Sequence, residues 1–285
     1  MRYESPTTTK DAVALLAGEK GSAYVLAGGT DLMVRMRMDM IEADLMVDIK
    51  RIPVMKEIKK TPSGFRIGAA VSGAELGENK ALCKAWPGVV EATNLIGSDQ
   101  VQSRCTMVGN LCNASPAADS VPAMVAAGAK AVVVGKNGRR TVAVEKIVTG
   151  PGATSLAKDE LVEAITLPKR AANSGDAYLR FIPRTEMDIA VVGVGVNLTL
   201  SRGVVKSARV ALGAVAPTVV LVPKAARALV GSKLDDEALE KMAAACSEAC
   251  NPIDDKRGTI EYRTRVAGVL ARRAAKIAFQ RAGGN

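Results

Sequence analysis

Ala23-Tyr24-Val25-Leu26-Ala27 is a compact apolar run of strand type, cut off by Gly28-Gly29-Thr30. Residues 31–37 then read as helix, and Leu45-Met46-Val47-Asp48-Ile49 as a second strand. Strand, glycine turn, helix and strand in that order form a βαβ unit, whose two strands run parallel and whose helix closes the crossover. Ahead of it, Thr8-Thr9 caps a short helix over about 10–17 that Gly18 closes.

The middle third mixes short elements. Residues 64–68 read as strand, 72–78 as a short helix, and 80–95 as helix interrupted before Pro87. A helix over 120–127 follows Asp119. Strands at 130–134 and 140–144 are joined by Gly135-Lys136-Asn137-Gly138. Thr149-Gly150-Pro151-Gly152 interrupts the pattern, and a strand over 161–167 ends at Pro168. The small, polar stretch 169–175 marks the main domain boundary. It separates 1–172, divisible at about residue 55 into 1–55 and 56–172, from 173–285. Beyond it, strands at 177–182, 189–200 and 204–214 precede a series of helices, with Ser201-Arg202-Gly203 as a hairpin turn. The first of these helices begins at Pro223. The second carries Asp235-Asp236-Glu237 at its N-terminus, where the helix dipole favours acid, and stops at Asn251-Pro252. It places Leu239, Met242 and Cys246 on one face, and the last helix spans about 259–281. Strands followed by helices give an α+β class.

Two segments carry candidate chemistry. In Ala27-Gly28-Gly29-Thr30-Asp31-Leu32 the glycines allow a sharp turn and close approach of backbone N–H groups to an anion, with a helix N-terminus behind them. A tight strand-to-helix turn capped by Thr30 explains the same residues. The segment fits neither G-x-G-x-x-G nor the Walker pattern, which excludes an ordinary Rossmann or P-loop site. The second segment runs from Ile96-Gly97-Ser98-Asp99-Gln100-Val101 to Asp119 without strand or helix periodicity. Its Thr106, Asn110 and Asn113 can donate to phosphate or ring oxygens, and Asp119 can accept from sugar hydroxyls. A long irregular stretch of this kind is either a ligand loop or a turn-rich connection that satisfies its own backbone. Arg180 and Arg184 can neutralise a diphosphate or pair with nearby acids.

The chain contains no histidine, which excludes a histidine-based catalytic triad, a histidine zinc site and a histidyl-linked flavin. Any redox chemistry therefore arrives with a cofactor. The five cysteines show no C-x-x-C spacing and read as buried, inert thiols, with no metal site. No secretory signal or membrane-spanning run is visible, so a cytoplasmic location is expected. Lys and Arg number 39 against 29 Asp and Glu, a net charge of +10. A basic nucleic-acid-binding protein is one reading of that excess, but one Trp, three Phe and four Tyr supply few stacking platforms. Six basic residues, Arg263, Arg265, Arg272, Arg273, Lys276 and Arg281, fall in the last helix and suit a solvated or docking face better.

In order along nearly the whole chain, these motifs resemble the FAD-binding medium subunit of the molybdenum hydroxylases. The resemblance rests on A-G-G-T-D-L at 27–32, Gln100-Val101, Thr106-Met107-Val108-Gly109-Asn110, Ser115-Pro116-Ala117-Ala118-Asp119, residues 184–192, Glu261-Tyr262-Arg263 and Arg272-Arg273-Ala274. It implies an FAD-binding fold of two α/β subdomains, followed by a C-terminal three-stranded antiparallel sheet with a helix bundle. Noncovalent FAD would be held by Leu26, Ala27, Gly28, Gly29, Thr30, Asp31, Leu32 and Met33 at the pyrophosphate. Thr106, Gly109, Asn110 and Asn113 would contact the diphosphate and ribityl chain, with Asp119 taking hydroxyls. Ile96, Val162, Arg180 and Ile189 complete the implied set, Ile189 lying near the isoalloxazine ring.

The resemblance also implies partners: a large subunit with molybdopterin and a small subunit with two 2Fe-2S clusters, assembled as a dimer of heterotrimers. Electrons would pass from those clusters to FAD and on to an external acceptor, leaving no catalytic residue on this chain. Relatives carry T-I-G-G-N where this chain has Val108 in place of the first glycine, and a position there needing positive φ would strain the valine. Ile189 stands where the carbon monoxide dehydrogenase branch carries tyrosine, which points away from carbon monoxide as substrate. A stand-alone flavin oxidoreductase is the rival enzyme reading.

Overall fold

The computed structural model describes residues 1–284. The chain begins with β1 (Arg2–Glu4), α1 (Thr9–Gly18), β2 (Ala23–Leu26), α2 (Leu32–Arg37) and β3 (Leu45–Asp48). The three strands form a parallel sheet in the order β1-β3-β2, so the βαβ unit is present and gains an N-terminal edge strand. Arg2–Glu4 is too short and polar to show strand periodicity in the sequence. Thr8 caps α1 through its side chain, which accepts from the Asp11 N–H at 3.1 Å.

The second unit comprises β4 (Ile58–Thr61), β5 (Gly64–Gly68), α3 (Gly73–Glu78), α4 (Lys80–Ala85), α5 (Pro87–Asn94), α6 (Asp99–Gln102), α7 (Met107–Cys112) and α8 (Ser120–Ala127). It continues through β6 (Lys130–Gly135), β7 (Gly138–Ala143), β8 (Val148–Gly150), β9 (Ala153–Thr154) and β10 (Leu161–Pro168). Five of its strands form a sheet in the order β4-β5-β10-β6-β7. The break before Pro87 divides the expected 80–95 helix into α4 and α5. The interrupted stretch around Pro151 folds into the small β8–β9 hairpin. The segment read as irregular is in fact organised by α6 and α7, each too short to show helical periodicity in sequence.

The remainder holds β11 (Ser174–Phe181), β12 (Val192–Ser201), β13 (Val204–Gly213), β14 (Val220–Leu221), α9 (Pro223–Leu229), α10 (Asp236–Glu248) and α11 (Ile260–Arg281). The three long antiparallel strands are joined at one edge by the two-residue β14. The strand expected from residue 189 starts at Val192, because residues 184–189 form a largely exposed loop shaped by Met187 at φ 50°. Arg263 of α11 is buried rather than on a solvated face; it donates to the carbonyls of Val191 and Ala214 and pairs with Asp255 at 2.7 Å.

One apolar core fills the first two units and a second lies between β11–β13 and α9–α11. Every residue of α8 is buried. A helix apolar on all sides belongs between layers, and α8 lies against β10 on one side and β12 and β13 on the other. Gly195 makes that approach possible, since a Cβ there would sit 2.5 Å from the Pro122 carbonyl oxygen. No helix among the described residues is long and apolar enough to cross a membrane.

Candidate functional site

The loop after β2 and the segment around α7 meet to form one wall system of a cleft holding about 1030 Å³ out to bulk solvent. The enclosed part of it, about 240 Å³, lies just below the roughly 300–1,000 Å³ usual for small-molecule sites, and the rest opens to solvent. The contact between the loops is direct: a Cβ on Gly28 would lie 2.0 Å from the Arg104 carbonyl oxygen. Gly29 adopts φ +80°, and its carbonyl accepts from the Met33 N–H at 3.0 Å to start α2. Among the described residues, the backbone N–H groups of Gly28, Gly29, Thr30 and Asp31 have no backbone acceptor. Unpaired N–H groups gathered at a glycine turn suit an anion. Asp31, not Thr30, occupies the cap position of α2 and makes no side-chain cap bond. Thr30 lines the cleft.

The second segment is built around α7. The Thr106 Oγ1 accepts from the Gly109 N–H at 2.8 Å, so this buried threonine caps the helix. Its hydroxyl hydrogen remains for donation, whereas the Gly109 N–H is already engaged. Asn110 is fixed through Oδ1, which accepts from the Ser120 N–H at 3.2 Å and the Ser120 hydroxyl at 2.7 Å. Its amide nitrogen is thereby left as the free donor at the cleft wall. Asn113 bridges the two loops, its Nδ2 donating to Asp31 Oδ1 at 3.1 Å. Burial pushes the Asp31 carboxyl up, partly opposed by the charge of Arg35. Val108 is the second residue of α7, buried and at helical φ, so the strain anticipated for a valine there is absent. The positive φ angles in this segment fall instead on Gly97, at 67°, and on Ala114, at 53° just past α7.

Of the residues singled out from the sequence, Ala27, Gly28, Gly29, Thr30, Asp31, Leu32, Ile96, Thr106, Gly109, Asn110, Asn113 and Val162 all line the cleft. Leu26, Met33, Asp119, Arg180 and Ile189 do not. Leu26 turns into the protein, and Met33 lies on the exposed side of α2. Asp119 is held by two side chains of β11: Tyr178 donates to Oδ1 at 3.0 Å and Arg180 to Oδ2 at 2.8 Å. Arg180 pairs with Asp119 through Nη1. Burial pushes the Asp119 carboxyl up to about 6, with Arg180 and Tyr178 pulling it back. Ile189 is half exposed, next to an Asp188 held by Arg184 at 3.2 Å and Arg257 at 3.3 Å.

Sequence reading missed Arg35, the cationic side chain at the cleft, and Glu160, whose carboxylate is bridged by Arg140 through two bonds of 2.7 Å. It also missed Lys50, whose ammonium lies 3.1 Å from the Ala27 carbonyl oxygen behind the first loop. Cys105 and Cys112 line the cleft as well, but burial pushes their thiols up to about 11 and about 12, so neither is a thiolate near neutrality.

The donor set fits a diphosphate-bearing ligand: free backbone N–H groups, one guanidinium, a hydroxyl and two fixed amides, with aliphatic walls from Ile96, Leu161 and Val162. The comparisons with known proteins agree. Residues 1–170 match the FAD binding domain in molybdopterin dehydrogenase, and residues 177–278 the CO dehydrogenase flavoprotein C-terminal domain. The carbon monoxide dehydrogenase medium chain of Hydrogenophaga pseudoflava is 32% identical over 98% of this chain and 97% of its own length. The xanthine dehydrogenase FAD-binding subunit of Escherichia coli O157:H7 is 28% identical over 99% and 97%. The solved carbon monoxide dehydrogenase from Hydrogenophaga pseudoflava contains a chain that superimposes with a TM-score of 0.95 at 33% identity, covering 99% of this chain and 98% of that one. The chain belongs to the FAD-binding medium subunits of the molybdopterin-dependent dehydrogenases.

Proposed function

We propose that this chain is the electron-transferring flavoprotein subunit of a heteromeric molybdenum hydroxylase. The observation that carries the reading is the cleft in which two glycine-bearing loops converge with a row of unpaired backbone N–H groups. Gly28, Gly29, Thr30 and Asp31 would hold the FAD diphosphate through those groups, with Arg35 supplying charge. Thr106, Asn110 and Asn113 would supply further donors, while Ile96 and Val162 exclude water from the walls. Bound there, FAD would supply the redox chemistry by which electrons from iron–sulfur clusters on a small partner would reach an external acceptor. Substrate is oxidised at molybdopterin on a large partner, and the assembly is a dimer of heterotrimers. Asp119 and Arg180 act at one remove, holding the loop before α8 against β11 rather than touching the cofactor.

Purification of the full-length chain, alone and with its co-purifying partners, tests this reading. The chain should take up stoichiometric FAD that denaturant releases intact, and the complex should contain molybdenum and iron. A chain that remains colourless after incubation with FAD would sink the proposal. Substrate turnover by the isolated chain would favour a stand-alone flavin oxidoreductase instead.

A further inference from the structure

Lys50 lies in the helical turn Ile49–Arg51 that follows β3, outside the cleft lining. Its ammonium pairs with Asp48 Oδ1 at 2.7 Å and donates to the Ala27 carbonyl oxygen at 3.1 Å. Asp48 is buried and is itself fixed from two further directions. Tyr3 donates to Oδ2 at 2.5 Å, and the Lys50 backbone N–H donates to Oδ1 at 2.9 Å. Ile49, fully buried between them, anchors the turn and forms part of the cleft floor. The strand pairing of β2 with β3 brings Leu26 opposite Asp48, which is why the ammonium reaches the first residue past β2.

We infer that Lys50 is a positioning residue for the first glycine loop, fixing the Ala27–Gly28 peptide so that its N–H is presented to the anionic ligand. No cis peptide bond occurs among the described residues, and in a trans peptide the C=O and N–H point in opposite directions. Holding the carbonyl toward Lys50 therefore turns the Gly28 N–H away from Lys50. Gly28 lines the cleft and its N–H has no backbone acceptor. On its other flank Gly28 is pressed against the Arg104 carbonyl, so the peptide has little freedom except rotation about its own axis. The tie to an ammonium blocks that rotation, and its charge polarises the peptide, making the N–H a better donor to phosphate oxygen. Lys50 serves the ligand through the backbone and does not touch it.

This inference rests on the FAD reading above, and the test separates the two. The full-length chain, stripped of flavin, is titrated with FAD and with ADP, which shares the diphosphate, in wild type, Lys50→Met and Lys50→Arg. Lys50→Met is expected to weaken both ligands roughly 10-fold, the loss of one charge-assisted bond. Lys50→Arg, which can still reach the Ala27 carbonyl, should restore binding to within about 3-fold. The potential of the bound flavin should be the same in all three proteins. Wild-type affinity in Lys50→Met overturns the assignment. So does equal weakening in Lys50→Met and Lys50→Arg accompanied by a lowered Tm, since that marks Lys50 as packing alone. If Lys50→Met does not fold, Lys50→Gln carries the same expectations. A wild-type chain that binds neither FAD nor ADP overturns the functional reading itself.

Discussion

Arg35 is the cationic side chain that lines the cleft, on the turn of α2 that follows the first glycine loop. Its charge is felt by Asp31, and it lines the same cleft as the four residues whose backbone N–H groups have no backbone acceptor. Arg35→Gln should therefore weaken FAD by about 3- to 10-fold, the range for one partly exposed charged contact. The loss should shrink as salt rises, because screening already weakens the wild-type contact. Fluorescence titration at two ionic strengths checks both points, and a salt-independent loss would point to packing of α2 instead. Nothing in the sequence singles out Arg35 from the other basic residues, or Lys50 from its neighbour Arg51. What distinguishes them is which loop they face, and that depends on strand register. Asp119 shows the converse: its place among small polar residues marks it as a candidate ligand contact but does not say which side chains hold it. Its partners Tyr178 and Arg180 lie 59 and 61 residues away, where no local pattern reveals them.

At the level of elements, the glycine loop was legible because its cause is local. Only a residue without a side chain fits against the Arg104 carbonyl and lets the chain turn into α2. Gly28→Ala places a methyl 2.0 Å from that oxygen, and since the obstacle is backbone, the two loops must separate. Overpacking of this kind costs on the order of 1–3 kcal/mol. The expected outcome is a lowered Tm together with a larger loss of FAD binding, because the loops that part are the two that line the cleft. Thermal unfolding and flavin titration on the same preparation measure both. Undiminished FAD binding would show that the loops do not act as one site. The second segment was legible only as an anomaly. α6 and α7 are four and six residues long, shorter than the repeat that identifies a helix, so they read as irregular chain. Their caps and cross-links, such as Ser120 to Asn110, become visible only once α8 is folded beside them.

Across the whole molecule, the two apolar cores are joined by α8 and by two buried carboxylates, Asp119 just before α8 and Asp176 on β11. Asp119 pairs with Tyr178 and Arg180. Asp176 accepts from the Val89 N–H at 3.2 Å, with Arg170 at 3.0 Å from its other oxygen but out of hydrogen-bonding alignment. Burial pushes both carboxyls up to about 6, opposed first by Arg180 at Asp119 and by Arg170 at Asp176. A carboxyl raised in the folded state keeps its proton where the unfolded chain has lost it, so its contribution to stability falls as pH rises from about 4 to about 6. Depressed carboxyls such as Asp188, drawn down to about 2 chiefly by its bond to Arg184, act in the opposite direction at lower pH. Those groups cancel when wild type is compared with a variant at a single site. The stability of wild type relative to Asp119→Asn should therefore be greater at pH 4.5 than at pH 7, by about 2 kcal/mol, and likewise for Asp176→Asn. Urea unfolding midpoints at the two pH values measure the difference. A gap that widens toward pH 7 would mean that the arginine pairs outweigh burial. The junction would then be held by charge at neutral pH rather than strained by it.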